Sequence, residues 1–222
     1  MGVENSTKGN SKMEDVLVVE NSTKIRKLNS LKSLCEKCQE CQLGLNRNSK
    51  IVFGEGCSNA SIMCIGEAPG FTESQTGRPF VGRSGILLRS MLKEACLDLN
   101  EDIYIANTIK CRPPDNRTPE VKEIGTCVNF LNKQISIIKP SVLVLLGRTS
   151  IKGIFPFIEL YTKAPIDYLR GISKESYIKY QGIRVLITYH PSALLYNSSL
   201  KIKVQEDFEF LKSLMDNLLI SE

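Results

Sequence analysis

Four short apolar runs limit what this chain can fold into more than any other feature. They are Ser61-Ile-Met-Cys-Ile65, Ile103-Tyr-Ile-Ala106, Ser141-Val-Leu-Val-Leu-Leu146 and Ile183-Arg-Val-Leu-Ile-Thr188. Each is too short for a buried helix and reads as a strand covered on both faces. Helical patterns lie between them. One runs from about Ser84 to Leu99 and turns Leu87, Leu88, Met91, Leu92 and Ala95 to one side. A second starts with Thr118 as N-cap and Pro119 at the first helical position and ends near Lys139-Pro140. A short third covers 148–155, and a fourth runs from about Ile202 to Leu219. This alternation predicts a single three-layer α/β/α sandwich with a mainly parallel four-stranded central sheet.

The N-terminal part is read differently. Residues 1–24 are polar, carry the pentapeptide Glu-Asn-Ser-Thr-Lys twice (4–8 and 20–24) and lack sustained periodicity, so a flexible tail is expected there. The domain is expected over 25–222, opening with a helix whose face is Ile25, Leu28, Leu31 and Leu34. Residues 156–182 are irregular and basic and read as a long connection or insertion. No apolar run reaches the length of a membrane span and no signal pattern opens the chain, so a cytoplasmic, nucleoid-associated protein without a membrane partner is expected. The net charge of +5 permits an anionic partner without requiring one.

Eight cysteines in such a chain suggest a metal or cluster rather than a disulfide framework, and a single histidine rules out a centre built from several imidazoles. Cys64 and Cys96 lie in core-facing runs and read as packing, while Cys57 has no partner by spacing. Cys38-x-x-Cys41 fits a ligand pair, and Cys111 and Cys127 flank a Pro-rich loop and the helix after it. Four such thiolates can close around zinc or an iron–sulfur cluster. Spacing chooses neither the metal nor between Cys35 and Cys41 as partner of Cys38.

Ligands of open α/β sheets bind beside the carboxyl ends of the strands. There the chain places Gly66-Glu67-Ala68-Pro69-Gly70, Asn107 and His190-Pro191-Ser192, with Gly77-Arg-Pro-Phe80-Val-Gly-Arg83 following the first of them. A carboxylate between glycines, an amide, a loop aromatic and the only imidazole thus each follow or lie near the end of a predicted element.

These motifs, in this order, resemble the family-four uracil-DNA glycosylases, the iron–sulfur branch of the uracil-DNA glycosylase superfamily, over roughly 25–215. Cys38-Gln-Glu-Cys41-Gln-Leu43 with Arg47 is similar to the family's first cysteine pair, and Gly66 to Gly70 with Glu73 to its first active-site motif. Gly77 to Arg83 resembles the base-stacking loop. Tyr104-Ile-Ala-Asn107, Lys110-Cys-Arg-Pro-Pro114 and Asn116-Arg117 resemble the uracil-reading strand and second cluster segment, and His190-Pro-Ser-Ala-Leu194 the closing motif. The resemblance implies a uracil-DNA glycosylase-like fold and a [4Fe–4S] cluster on Cys38, Cys41, Cys111 and Cys127, with Cys35 as an extra thiol beside them. It also implies hydrolysis of the N-glycosidic bond of deoxyuridine in DNA, initiating base-excision repair.

On that reading the site must stabilise an oxocarbenium-like sugar and a uracil anion while delivering a water. Glu67 orients and activates the water. Glu73 either assists or walls the pocket against the thymine methyl, and Asn116 holds water or sugar. Phe80 stacks on the extruded base, with Ala68 and Gly70 alongside. Asn107 accepts from uracil N3–H and donates to O4, a pattern cytosine reverses. His190 hydrogen-bonds O2 and stabilises the leaving anion. Leu194 or Leu195 wedges into the vacated stack, and Arg83, Arg112, Arg117 and Lys201 contact phosphates. The expected partner is uracil-containing DNA, single- or double-stranded, bound by a monomer, with replication or repair proteins as further candidates. The rivals are a glycosylase of relaxed base choice, a catalytically inactive cluster-bearing DNA-binding accessory module, and a structural four-cysteine zinc protein.

Overall fold

A computed structural model describes residues 7–175 and 178–220. The chain is an α/β fold around a six-stranded mixed sheet. Its strands are β1 (Glu55–Gly56), β2 (Ile62–Gly66), β3 (Ile103–Asn107), β4 (Val142–Leu146), β5 (Lys179–Tyr180) and β6 (Ile183–Thr188), in the order β1-β3-β2-β4-β6-β5. The four apolar runs form the parallel centre β3-β2-β4-β6. The expected four-stranded sheet is corrected by β1 and β5, which pair antiparallel along its two margins. Two-residue strands cannot show periodicity, so these were illegible in the sequence.

Side chains alternate across the sheet as strand geometry requires. Met63, Ile65, Leu143, Leu145, Val185 and Ile187 enter one apolar layer, and Ile62, Cys64, Ile103, Ile105, Val142 and Val144 enter the other. Helices α1 (Thr7–Glu36), α5 (Val121–Ile138), α6 (Arg148–Ile154) and α8 (Ile166–Glu175) supply the first layer, with the short α2 (Gln42–Leu45), α3 (Phe71–Thr76) and α7 (Glu159–Lys163) on connections. Helices α4 (Arg83–Glu94), α9 (Pro191–Tyr196) and α10 (Leu200–Ile220) supply the second.

Several boundaries differ from expectation. Helix α1 begins at Thr7, so the break expected at residue 24 is not an element boundary. Lys24 donates to the Ile138 carbonyl at 3.1 Å, and Ser58 donates to Asn21, which ties this part of the helix to the domain. The buried face is Leu28, Leu31 and Cys35, while Ile25 and Leu34 are exposed. Helix α5 starts after Glu120, not Thr118. Glu120 and Glu123 form a reciprocal capping box that satisfies the first free N–H groups, and Arg117 pairs with Glu123 at 2.7 Å. Helix α4 ends at Glu94, and Cys96, expected in the core, is exposed in a left-handed turn.

Residues 156–182 are not an irregular insertion. They carry α7, α8 and β5, and α8 packs on β6 through fully buried Leu169. Arg170 of α8 pairs with the buried Asp207 of α10 at 2.7 Å, Lys174 reaches Asp207 at 2.6 Å, and Thr188 at the end of β6 donates to the same carboxylate at 2.5 Å. Among the described residues no helix is long and apolar enough to cross a membrane.

Candidate active site

The parallel register brings the strand ends level. Gly66 stands opposite Asn107, Ile65 opposite Leu145, and Leu146 opposite Thr188. The chain leaves β2 for β3 on one side and later crosses to β4 on the other. The carboxyl ends of β2 and β4 are therefore the switch point where open α/β sheets hold ligands. A cleft of about 350 Å³ opens there, lined by Glu67, Ala68, Gly70, Glu73, Phe80, Asn107, Asn116 and His190 among others. Every candidate catalytic or base-binding residue except Leu194 reaches it.

Glu67 follows β2 directly. One of its carboxylate oxygens accepts from the hydroxyl of Thr149, on the first turn of α6 past β4, so this hydrogen bond spans the switch point. Glu73 is buried on α3, and its Oε1 accepts the backbone N–H groups of Val81 (2.9 Å) and Gly82 (2.6 Å). That carboxylate fixes the loop between α3 and α4, and the loop carries Phe80.

Phe80 is itself in the left-handed region at φ 51° and buried. Its ring lies 5.8 Å from that of His190 and against Gly66, where a Cβ would stand 2.5 Å from both the Phe80 ring and Asn107 Oδ1. Glycine at 66 thus lets aromatic and amide close on the end of β2. Asn107 is 1% exposed, and its Oδ1 is the one buried side-chain polar atom without a hydrogen-bond partner among the described residues. Buried acceptors are rarely left so. On a cleft-lining residue, the free acceptor invites a donor from a ligand.

His190 caps α9. Its Nδ1 accepts the backbone N–H of Ser192 at 3.2 Å and lies 2.8 Å from the Ser192 hydroxyl. Burial pushes the imidazole down to about 4, so the ring is neutral near pH 7. An accepting Nδ1 on a neutral ring leaves the proton on Nε2. The backbone makes room for this ring at Gly147, whose φ of 80° and missing side chain admit His190 Cβ, 2.8 Å from where a Cβ would stand. The site is a half-enclosed slot with an aromatic wall, an amide with a free acceptor, a neutral N–H donor and a carboxylate held from behind.

The family description "Uracil DNA glycosylase superfamily" matches residues 53–215, a span that includes every one of these positions. The chain belongs to the uracil-DNA glycosylase superfamily. It is 45% identical to a type-4 uracil-DNA glycosylase of Sulfurisphaera tokodaii over 72% of this chain and 73% of that one. Identity to the type-4 uracil-DNA glycosylase of Thermotoga maritima is 44%, over 77% of this chain and 85% of the relative. For the type-4 enzyme of Saccharolobus solfataricus the identity is 41% over 74% and 76%.

Within this superfamily chain, the rim of the cleft departs from the sequence reading. Leu194 is buried with α4 and α10 in the second apolar layer and is not available as a wedge, because the inward face of so short a helix cannot be read from its pattern. Leu195 and Tyr196 are the exposed residues of α9, and Tyr196 lines the cleft. Arg117 also lines it but is committed to Glu123. Arg83 and Lys201 are exposed, and Arg112 donates to Asn116 Oδ1 at 2.8 Å. The reading missed Thr149 and Tyr196. Only the position of Thr149, just past a buried strand and Gly147, could have drawn attention to it.

A second, small pocket gathers five thiols: Cys35, Cys38, Cys41, Cys111 and Cys127. Cys57 lies in a separate loop, where its sulfur accepts from Asn59 N–H. The backbone N–H of Lys110 donates to Cys127 Sγ at 3.2 Å, and Arg47 approaches Cys111 Sγ at 4.0 Å, so sulfur meets donors on two sides. Among the described residues no three ligands converge on one ion. Lys110 itself is fully buried beside these thiols, with Nζ donating to the Asn107 carbonyl at 2.9 Å and to Gln134 at 2.6 Å.

Proposed function

We propose that this chain hydrolyses the N-glycosidic bond of deoxyuridine in DNA, releasing uracil and leaving an abasic site. The observation that carries the reading is the meeting of Glu67, Phe80, Asn107 and His190 in one cleft, with an unpaired amide acceptor and a neutral N–H donor. An extruded base enters beside Phe80, with unpairing costing a few kcal/mol. Asn107 accepts N3–H at its free Oδ1 and donates from Nδ2 to O4. Cytosine offers a bare N3 and an amino group in those places and leaves both groups mismatched. His190 donates from Nε2 to O2, and this bond strengthens as negative charge gathers on the departing base. A neutral donor suits that task because it need not give up its proton. Glu67, steadied by Thr149, orients the water and places negative charge near the cationic sugar. Glu73 acts through the Phe80 loop, and Asn116 stands at the rim for water or sugar.

We further infer that the five-thiol pocket takes a [4Fe–4S] cluster, held by Cys38, Cys41, Cys111 and Cys127 with Cys35 beside them. A zinc ion needs four sulfurs at about 2.3 Å from one point. A cluster presents a separate iron to each thiolate, and four of the five thiols gathered in the pocket supply one sulfur each. Bound there, it would supply covalent ties between the segment after α1, the Pro-rich loop and α5. No redox step is assigned to it.

Single-turnover release of base from a uracil-containing oligonucleotide tests the function. Wild type is expected to release uracil, His190→Ala to be slowed by orders of magnitude, and Asn107→Asp to lose uracil and gain cytosine release. A folded wild type without uracil release would overturn the reading.

A further inference from the structure

Beside the base-binding cleft lies a second cavity of about 570 Å³ that none of the assignments above uses. The two share Pro113 and Arg117 in their linings, so they adjoin. The volume of the second cavity lies within the range of small-ligand pockets, about 300–1,000 Å³. Phe71 lines it, as the first residue of α3 directly after Gly70 of the base-binding cleft. The ring is 61% exposed, and the Arg112 guanidinium lies over it at 5.2 Å from the centroid. Arg112 also donates to Asn116 Oδ1 at the neighbouring cleft's rim, so one guanidinium touches both the Phe71 ring and the rim. Arg47, Arg117 and Asp115 also line the cavity, with Arg117 paired to Glu123 and Arg47 donating to the Glu36 carbonyl at 2.7 Å.

One exposed phenylalanine is ordinary. A phenylalanine capped by a guanidinium, in an arginine-lined cavity next to a base pocket, has the composition of a site for single-stranded nucleic acid: aromatic stacking with cations along the backbone. We propose that the Phe71–Arg112 platform stacks the unpaired base of a nucleotide flanking the extruded deoxyuridine, with Arg47 near its phosphate. This rests on the glycosylase reading and deepens it, because it makes Phe71 a determinant of strand choice. In a duplex the flanking base is already stacked and paired, so the platform gains little there. In a single strand it takes up a free base.

The test is binding and single-turnover uracil release on matched single- and double-stranded oligonucleotides, with wild type, Phe71→Ala and Phe71→Tyr. Stacking on one aromatic is worth about five- to a hundred-fold in affinity. Phe71→Ala is expected to weaken single-strand binding by about tenfold, leave the maximal rate intact and change duplex binding less than twofold, while Phe71→Tyr behaves as wild type. Phe71 is exposed, so these variants keep the core. A base-less residue walked across the three positions on either side of uracil should reproduce the loss in wild type at one position, where Phe71→Ala is then indifferent. Equal loss on both substrates, no loss, or additive effects at every position would each overturn the proposal. Anisotropy reads the platform even if wild type releases no uracil, so failure of the chemistry and failure of the platform give different results.

Discussion

Lys110 donates from Nζ to the main-chain carbonyl of Asn107 at 2.9 Å, and both residues are only 1% exposed. The same ammonium group bonds Gln134, which in turn donates to the Phe53 carbonyl at 2.9 Å and the Tyr104 hydroxyl at 3.2 Å. One buried cation thus links the end of β3 to α5 and to the chain that runs into the thiol pocket. Replacing Lys110 by Met strands two buried acceptors, each costing about 1–3 kcal/mol, against relief from burying a charge. Urea unfolding should show a net loss of about 2 kcal/mol, and uracil release should slow. Gln134→Leu leaves the Asn107 carbonyl bonded and should lose similar stability with a smaller drop in rate.

The chain's only imidazole can be followed by NMR without assignment. His190 should keep its proton on Nε2 and begin to titrate only near pH 4. Its value in the unfolded chain is about 6.5, so the unfolded state takes up the proton first as pH falls. The stability tied to the neutral ring is complete above about pH 6.5 and is lost progressively as pH falls towards 4. A ring titrating near 6.5 in the folded protein would contradict the buried, N-capping geometry. Replacing His190 should flatten this part of the stability profile.

Thr149→Val removes the hydroxyl that donates to Glu67 while keeping the side chain's shape. A hydrogen bond to a charged group contributes about 1.5–3 kcal/mol. Single-turnover rates should fall about tenfold or more with little change in half-saturation, and Thr149→Ser should recover most of the loss.

Asp207 is fully buried and serves Arg170, Lys174 and Thr188 together. Asp207→Ala removes the buried carboxylate from Lys174 and leaves Arg170 with only its outer pairs to Asp167 and Glu206, a change that costs up to about 3–5 kcal/mol. Chemical denaturation measures this directly. Because Thr188 lies two residues before His190, the variant should also release uracil more slowly at temperatures where it stays folded.

The parallel centre of the sheet was legible because strands buried on both faces need continuous apolar runs. The candidate site was legible because its residues follow those runs closely: Glu67 after Gly66, Asn107 at the end of β3, His190 just past Thr188. What escaped depends on partners that the sequence pattern does not mark. Thr149 is an unremarkable threonine until β4 lies beside β2. Leu194 and Leu195 are interchangeable in the sequence, and only the packing of α9 on α4 decides which one is buried. The edge strands β1 and β5 exist through pairing alone. Glu120 looks like any charged residue until Glu123 completes the cap.

All of the chemistry sits at one end of the parallel strands, and the turns that feed their other end, near Asn59, Glu101, Ser141 and Gln181-Gly182, line neither the cleft nor the thiol pocket. Gly182 has open space where a side chain would go. That end of the molecule is a handle. A fluorophore, a surface linker or a fused partner placed there would leave the DNA-facing end unobstructed, and would turn the protein into an immobilised reader of uracil in nucleic acid.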